Sequence, residues 1–227
     1  MVKWTLKWRK YRMKGITQES MVKALDWSYD KSVNGGLPGS KDVDQLATEY
    51  LNKYSEPEVA ITKFIRWQKG KTATSGFITG FGGLVTMPFM VPADITSVIY
   101  VQLRMIAVIS KIRGYNPHDD EIRSLAYICL TGSSTADFLK KSGIVVAEKL
   151  GTNMIKKIPG RVLVKINQAV GFRLITKFGE KGVLNLGKAV PVLGAIVGCG
   201  VDFASTNVIA KATKKNFPFR TRNTSVF

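Results

Sequence analysis

Apolar side chains recur along this chain at the three- and four-residue intervals of a helix. Clean two-residue alternation over five or more positions is missing. Residues 42–54 space Val43, Leu46, Tyr50 and Leu51 along one helix face. Ser55-Glu56-Pro57-Glu58 reads as a capping box with proline in the first turn. It opens a run with Ile61, Phe64 and Ile65 at i, i+3 and i+4. Asn116-Pro117 followed by Asp119, Asp120 and Glu121 places acids where a helix dipole favours them. Gly114, Gly132, Gly151, Gly160, Gly171 and Gly179 read as stops or bends. The fold expected is all-α, a multi-helix bundle.

Residues 94–113 make the most legible helix. Ile95, Val98, Ile99, Val101, Leu103, Met105, Ile106, Val108 and Ile109 surround it almost completely, so it must be buried in protein or lipid. Ser97, Arg104 and Lys111 form its one polar line, each a heptad apart and drifting by ~20° per heptad. A buried guanidinium without a partner is costly, and Asp94 and Asp202 are the pairing candidates. Ser97 and Ser205, each three residues past one of these aspartates, complete an expected buried polar network.

Two uncharged stretches flank such sites. The first fills the 22 positions between Lys71 and Asp94, long enough for a hydrocarbon core, but Gly76, Gly80, Gly82, Gly83, Pro88 and Pro92 interrupt it. The second, residues 189–201, has only 13 positions. Gly76 with Gly80, and Gly194 with Gly198, are small-xxx-small pairs that let helix backbones approach closely. Both stretches read as Gly/Pro-broken apolar helical hairpins, which either insert into lipid or pack internally.

Charge changes the picture most. The 227 residues carry 34 Lys and Arg against 16 Asp and Glu, a net +18, which calls for a polyanionic partner. Residues 1–14 hold six cations and no acid, and residues 138–227 hold sixteen cations against three acids. In the first block Trp4, Trp8 and Tyr11 share one helix face, with Lys7 and Arg9 on the others. Such a face suits a lipid interface, or else docks on the protein's own core. That block leads to Gly15 and not to an apolar run, so no secretory signal is expected. In the last block Lys156, Lys157, Arg161 and Lys165 alternate with apolar residues as short amphipathic helices. The division expected is an arm over residues 1–14, one helical domain over 15–212 and a basic tail over 213–227.

Catalytic signatures are absent from this reading. TGFGGLVT lacks the lysine of a phosphate loop, and GSS at 132–134 lacks the nucleophile elbow. His118 is the single histidine, and Cys129 and Cys199 read as buried thiols of a reducing compartment. No cofactor, metal or enzyme activity is expected. Nucleic acid is discounted for want of a recognition motif.

Several segments, in order, resemble the EcsC family: VKALDWSYDKSVNGGLPG (residues 22–39), FIRWQKGKTATSGFITGFGGLVTMP, YVQLRMIAVISKIRGY, and KKIPGRVLVKINQAVGFRLITKFGEKG (residues 156–182) with the stretch that follows it. The resemblance covers about residues 20–212, and the arm is its one visible departure. It implies a mostly helical bacterial protein, of a family whose namesake is encoded beside two components of an ABC transporter. It brings no catalytic residues. The function expected is therefore non-enzymatic association with the anionic inner face of the bacterial cytoplasmic membrane, with a transporter or other membrane protein as a further candidate partner. The alternative is a soluble all-α protein that binds an apolar ligand or an acidic protein. A membrane-acting effector is a variant of the first reading.

Overall fold

The computed structural model describes residues 16–36, 40–72, 91, 93–145, 158–178 and 196–220. The candidates Trp4, Lys7, Trp8, Arg9, Tyr11, Lys156, Lys157, Gly76, Gly80 and Gly194 lie outside the described residues, as do the apices of both uncharged stretches. The described residues form an all-α bundle of α1 (Gln18–Asn34), α2 (Val43–Lys53), α3 (Pro57–Thr72), α4 (Ala93–Ile112), α5 (Asp120–Leu130), α6 (Thr135–Lys141), α7 (Gly160–Phe178) and α8 (Ile196–Asn216).

Local chemistry starts and stops these helices. Thr17 and Ser20 cap α1 reciprocally, Ser20 N–H donating to Thr17 Oγ1 at 3.1 Å and Thr17 N–H to Ser20 Oγ at 2.9 Å. Gly35 ends it at φ +66°, a left-handed conformation that glycine adopts without Cβ strain. Asp42 and Gln45 make the same box for α2. Pro57 takes the first position of α3, where its missing N–H costs nothing. Ser55 and Glu58 were expected to cap this helix, but Glu58 turns both carboxylate oxygens to Arg113 and Lys214. A distant pair of cations outcompetes the local cap.

α4 is the axis. Residues 101–110 are buried at every position, and Met105, Ile106, Ala107, Val108 and Ile109 are 0% exposed. Ile95–Ile112 is long and apolar enough to cross a membrane, yet 83% of that window is buried inside the bundle. Helices α1, α2, α3, α8 and α5 pack around it, and α7 lies outside this ring against α1 and α5. Ala24, Ser28 and Ser32, one turn apart on α1 and all 0% exposed, face the bundle interior; small side chains shorten the interaxial distance. Each fully buried Phe, Leu or Ile contributes roughly 1.5–3 kcal/mol. Phe64, Phe138, Leu25, Ile61 and Leu103 are all of this kind.

α3 runs antiparallel to α4, since Glu58 meets Arg113 while Gln68 Nε2 donates to the Val101 carbonyl at 3.1 Å. α8 runs parallel to α4, with Gln102 bonded to Thr206 and Arg113 to the carbonyls of Lys214 and Phe217. The end of α3 and the starts of α4 and α8 therefore share one end of the bundle, and both uncharged sequence stretches adjoin that end.

Two positions depart from expectation. Leu51 is 36% exposed, because α2 meets its neighbours through Val43, Leu46 and Ala47. Gly171 was read as a bend but sits within α7 at a helix contact. A Cβ there would lie 3.1 Å from Val22 Cγ2 and 3.5 Å from the Gln18 carbonyl oxygen.

Candidate membrane-contact surface

α7 presents two faces. Leu163, Ile166, Val170 and Leu174, spaced i, i+3, i+7 and i+11, are buried against α1 and α5. Gly171 brings the α7 backbone up to α1, where Gln18 Nε2 donates to the Gln168 carbonyl at 2.8 Å. On the opposite side Arg161, Val164, Lys165, Gln168, Phe172 and Thr176 form an exposed ridge at i, i+3, i+4, i+7, i+11 and i+15. Phe172 is 61% exposed and Val164 55%, high for large apolar residues on a well-packed helix. α7 has four cations and no acid. One of the four, Arg173, rests its guanidinium 4.4 Å from the Phe138 ring centroid of α6.

The α3–α8 seam is cationic as well. Lys63, Arg66 and Lys211 are exposed and make no ion pair among the described residues, and Trp67 is 39% exposed. The seam is anchored inward by a knot. Arg113 Nη2 donates to Glu58 Oε2 at 2.8 Å and Lys214 Nζ to Glu58 Oε1, while the Arg113 guanidinium also stacks over Phe219. Partial burial would raise the Glu58 carboxyl, but hydrogen bonds from Lys214 and Arg113, with their charge, outweigh it and hold the group below the usual carboxylate range.

Helices α1, α2 and α5 carry charge of the other kind. Each has more acids than cations, and two of their four cations are ion-paired, Lys23 with Glu19 at 2.7 Å and Arg123 with Asp30 at 2.8 Å, while Asp44 takes Lys111 of α4 at 2.8 Å. Between α1 and α5 the Tyr127 hydroxyl donates to Asp26 Oδ1 at 2.7 Å, and the Tyr29 ring stands edge-on to Tyr127. Burial raises the Asp26 carboxyl, with the Tyr127 bond opposing it.

Of the expected polar network, Arg104 has described partners that are not carboxylates. Arg104 is buried, but its guanidinium donates to the carbonyls of Ser32 and Lys41 and to the Tyr100 hydroxyl. Pairing with Asp94 is ruled out by the helix that carries both. Ten residues at 1.5 Å each separate them by about 15 Å, beyond the reach of the two side chains together. Backbone carbonyls from the end of α1 and the start of α2 satisfy the cation instead. Ser97 and Ser205 are, respectively, buried and half-buried. Asp94, Asp202 and Gly198 lie in α4 and α8, but their side-chain surroundings are outside the described residues. Lys111, on the same polar line as Arg104, makes a surface pair with Asp44.

Arg161 and Lys165 stand together on the α7 ridge, as the sequence grouped them. Sequence reasoning missed Val164 and Phe172 as their companions, although the signal was present as a second apolar spacing between the buried positions. It also missed Glu58, whose partners are 55 and 156 positions away. His118 is exposed, and burial pushes the Cys129 thiol up to about 12. Among the described residues no group of three or more His, Cys, Asp or Glu side chains could hold a metal ion.

An all-α bundle with a buried apolar axis and an acid-free cationic outer helix is the class the geometry defines. The family model of the EcsC protein family matches residues 17–221, and the chain belongs to that family. Searches of curated proteins and of solved structures find no match to it.

Proposed function

We propose that this EcsC-family protein is a non-enzymatic, membrane-associated protein of the cytoplasmic face, held to anionic lipid by its cationic helices and able to dock on a membrane protein such as a transporter. The observation that carries this reading is the unequal sharing of charge among the helices. α3, α7 and α8 hold eleven cations against two acids, whereas α1, α2 and α5 hold four cations against seven acids. A merely soluble surface intersperses both signs. An anionic leaflet relieves the repulsion among clustered cations and adds about 1 kcal/mol for each one near it. The cationic arm over residues 1–14 would add to the same attraction.

Flotation of the purified chain with vesicles of graded phosphatidylglycerol content tests the proposal. Binding should rise with anionic fraction and fall steeply with salt, since the Debye length shrinks from about 10 Å at 0.1 M to about 3 Å at 1 M. Equal recovery with neutral and anionic vesicles would contradict it.

A further inference from the structure

We infer that the outer ridge of α7 is the surface that lies against the membrane, with the helix axis in the interfacial plane, Phe172 and Val164 entering the headgroup–acyl boundary, and Arg161 and Lys165 meeting lipid phosphates. This assignment rests on the membrane reading above and deepens it to one face.

Three observations select this face. First, α7 lies outside the ring around α4, an outer helix among the described ones. Second, its ridge combines the two requirements of an interfacial helix. Phe172 and Val164 are 61% and 55% exposed, while Arg161 and Lys165 flank Val164 without a nearby ion pair among the described residues. Third, no acid occurs along the 19 residues of the helix, so none of its own charge opposes an anionic lipid. The α3–α8 seam also exposes apolar side chains, Val208 at 53% and Trp67 at 39%, beside Lys63, Arg66 and Lys211, but it includes the acid Glu58, to which Lys214 and Arg113 turn inward. It also lies across α4 from α7, so one bilayer cannot cover both sides with α7 lying flat.

The ridge is built to survive as a surface. Gly171 and the buried row Leu163, Ile166, Val170 and Leu174 fix α7 to α1 and α5, so ridge substitutions should leave the fold intact. An acidic protein could also meet two cations and an aromatic ring. The two exposed apolar side chains, Val164 and Phe172, on an outer helix favour lipid, because an acidic protein surface would need only the cations.

The test compares variants of the full chain by co-flotation with vesicles of 30% phosphatidylglycerol in phosphatidylcholine. Arg161→Gln/Lys165→Gln removes two charges from the ridge, and Lys63→Gln/Arg66→Gln removes two from α3. Phe172→Ser removes apolar surface without changing charge. The ridge pair should weaken binding on the order of tenfold, the α3 pair only about twofold, and Phe172→Ser severalfold, all with wild-type melting temperatures. Equal losses for the two charge pairs overturn the assignment of the face while leaving membrane association standing, and a larger loss for the α3 pair places the bilayer on the opposite side. Wild-type protein that floats with no vesicle refutes the membrane reading itself. Should that same protein bind soluble polyglutamate through Arg161 and Lys165, the ridge belongs to an acidic protein and the lipid proposal falls.

Discussion

Along the α3–α8 seam, Lys214 and Arg113 converge on Glu58, and Arg113 also ties down the carbonyls of Lys214 and Phe217. Along α7, Arg161 and Lys165 point outward from a helix without a single acid. Both regions are rich in cations, α3 and α8 together with seven against two acids and α7 with four against none. The difference lies in what their opposite faces require. The seam joins two ring helices to the end of the buried axis, so Arg113 and Lys214 are recruited to satisfy carbonyls and a carboxylate, while Lys63, Arg66 and Lys211 stay exposed. α7 turns a largely apolar inner row to α1 and α5, which leaves Arg161 and Lys165 for the surroundings. A count of lysines and arginines therefore measures attraction to anions only after the structural cations have been subtracted.

Breaking the comparison at its most buried cation should have the largest effect. Arg104→Ala removes donors from the Ser32 and Lys41 carbonyls and leaves a void beside the axis. It should cost about 3 kcal/mol, read as a drop in the denaturation midpoint at constant slope. A variant as stable as wild type would mean that water replaces the guanidinium at no cost. Next comes the helix seam under α7. Gly171→Leu should destabilise by about 1–3 kcal/mol, because the Val22 methyl and the Gln18 carbonyl leave no room for a side chain. Gly171→Ala should be close to neutral, its crowding offset by the helix propensity gained.

The two faces of α7 can be separated within adjacent positions. Leu163→Ala should cost about 2–3 kcal/mol, and Val164→Ala less than about 0.5 kcal/mol. Comparable losses at both sites would show that the ridge is covered and the two-faced description wrong.

The smallest effects are in pH dependence, and they have opposite signs. The Glu58 carboxyl is depressed in the folded state, so its contribution is present above the ordinary carboxylate range and fades as pH falls through the depressed value. Glu58→Gln should flatten the acid limb of a melting profile. The Asp26 carboxyl is raised, so its contribution is present below the ordinary range and lost as pH rises through the raised value. Asp26→Asn keeps an acceptor for the Tyr127 hydroxyl and should gain stability relative to wild type toward neutral pH. Parallel profiles for the two variants would contradict these assignments.

Much of the bundle was legible in the sequence because its helices carry their own punctuation. The apolar run around residues 94–113 announced a buried helix, and Asp119, Asp120 and Glu121 marked the start of α5. Long-range polar contacts were not legible. Glu58 lies where a capping box would place it, and nothing local reveals that Arg113 and Lys214 arrive from other helices. Arg104 misled in a different way. Its carboxylate partners were sought by type, whereas backbone carbonyls exposed at the α1–α2 turn carry no sequence signature. Gly171 looked like a stop because a glycine that ends a helix and one that admits a neighbouring backbone are the same letter.

Amide hydrogen exchange of the full chain, free and bound to phosphatidylglycerol vesicles, addresses the central claim most directly. The account predicts that exchange slows across residues 160–178 on binding, while residues 43–53, in a helix that does not pack on α7, keep their free rates. Protection centred on residues 57–72, or spread evenly over all helices, would contradict it.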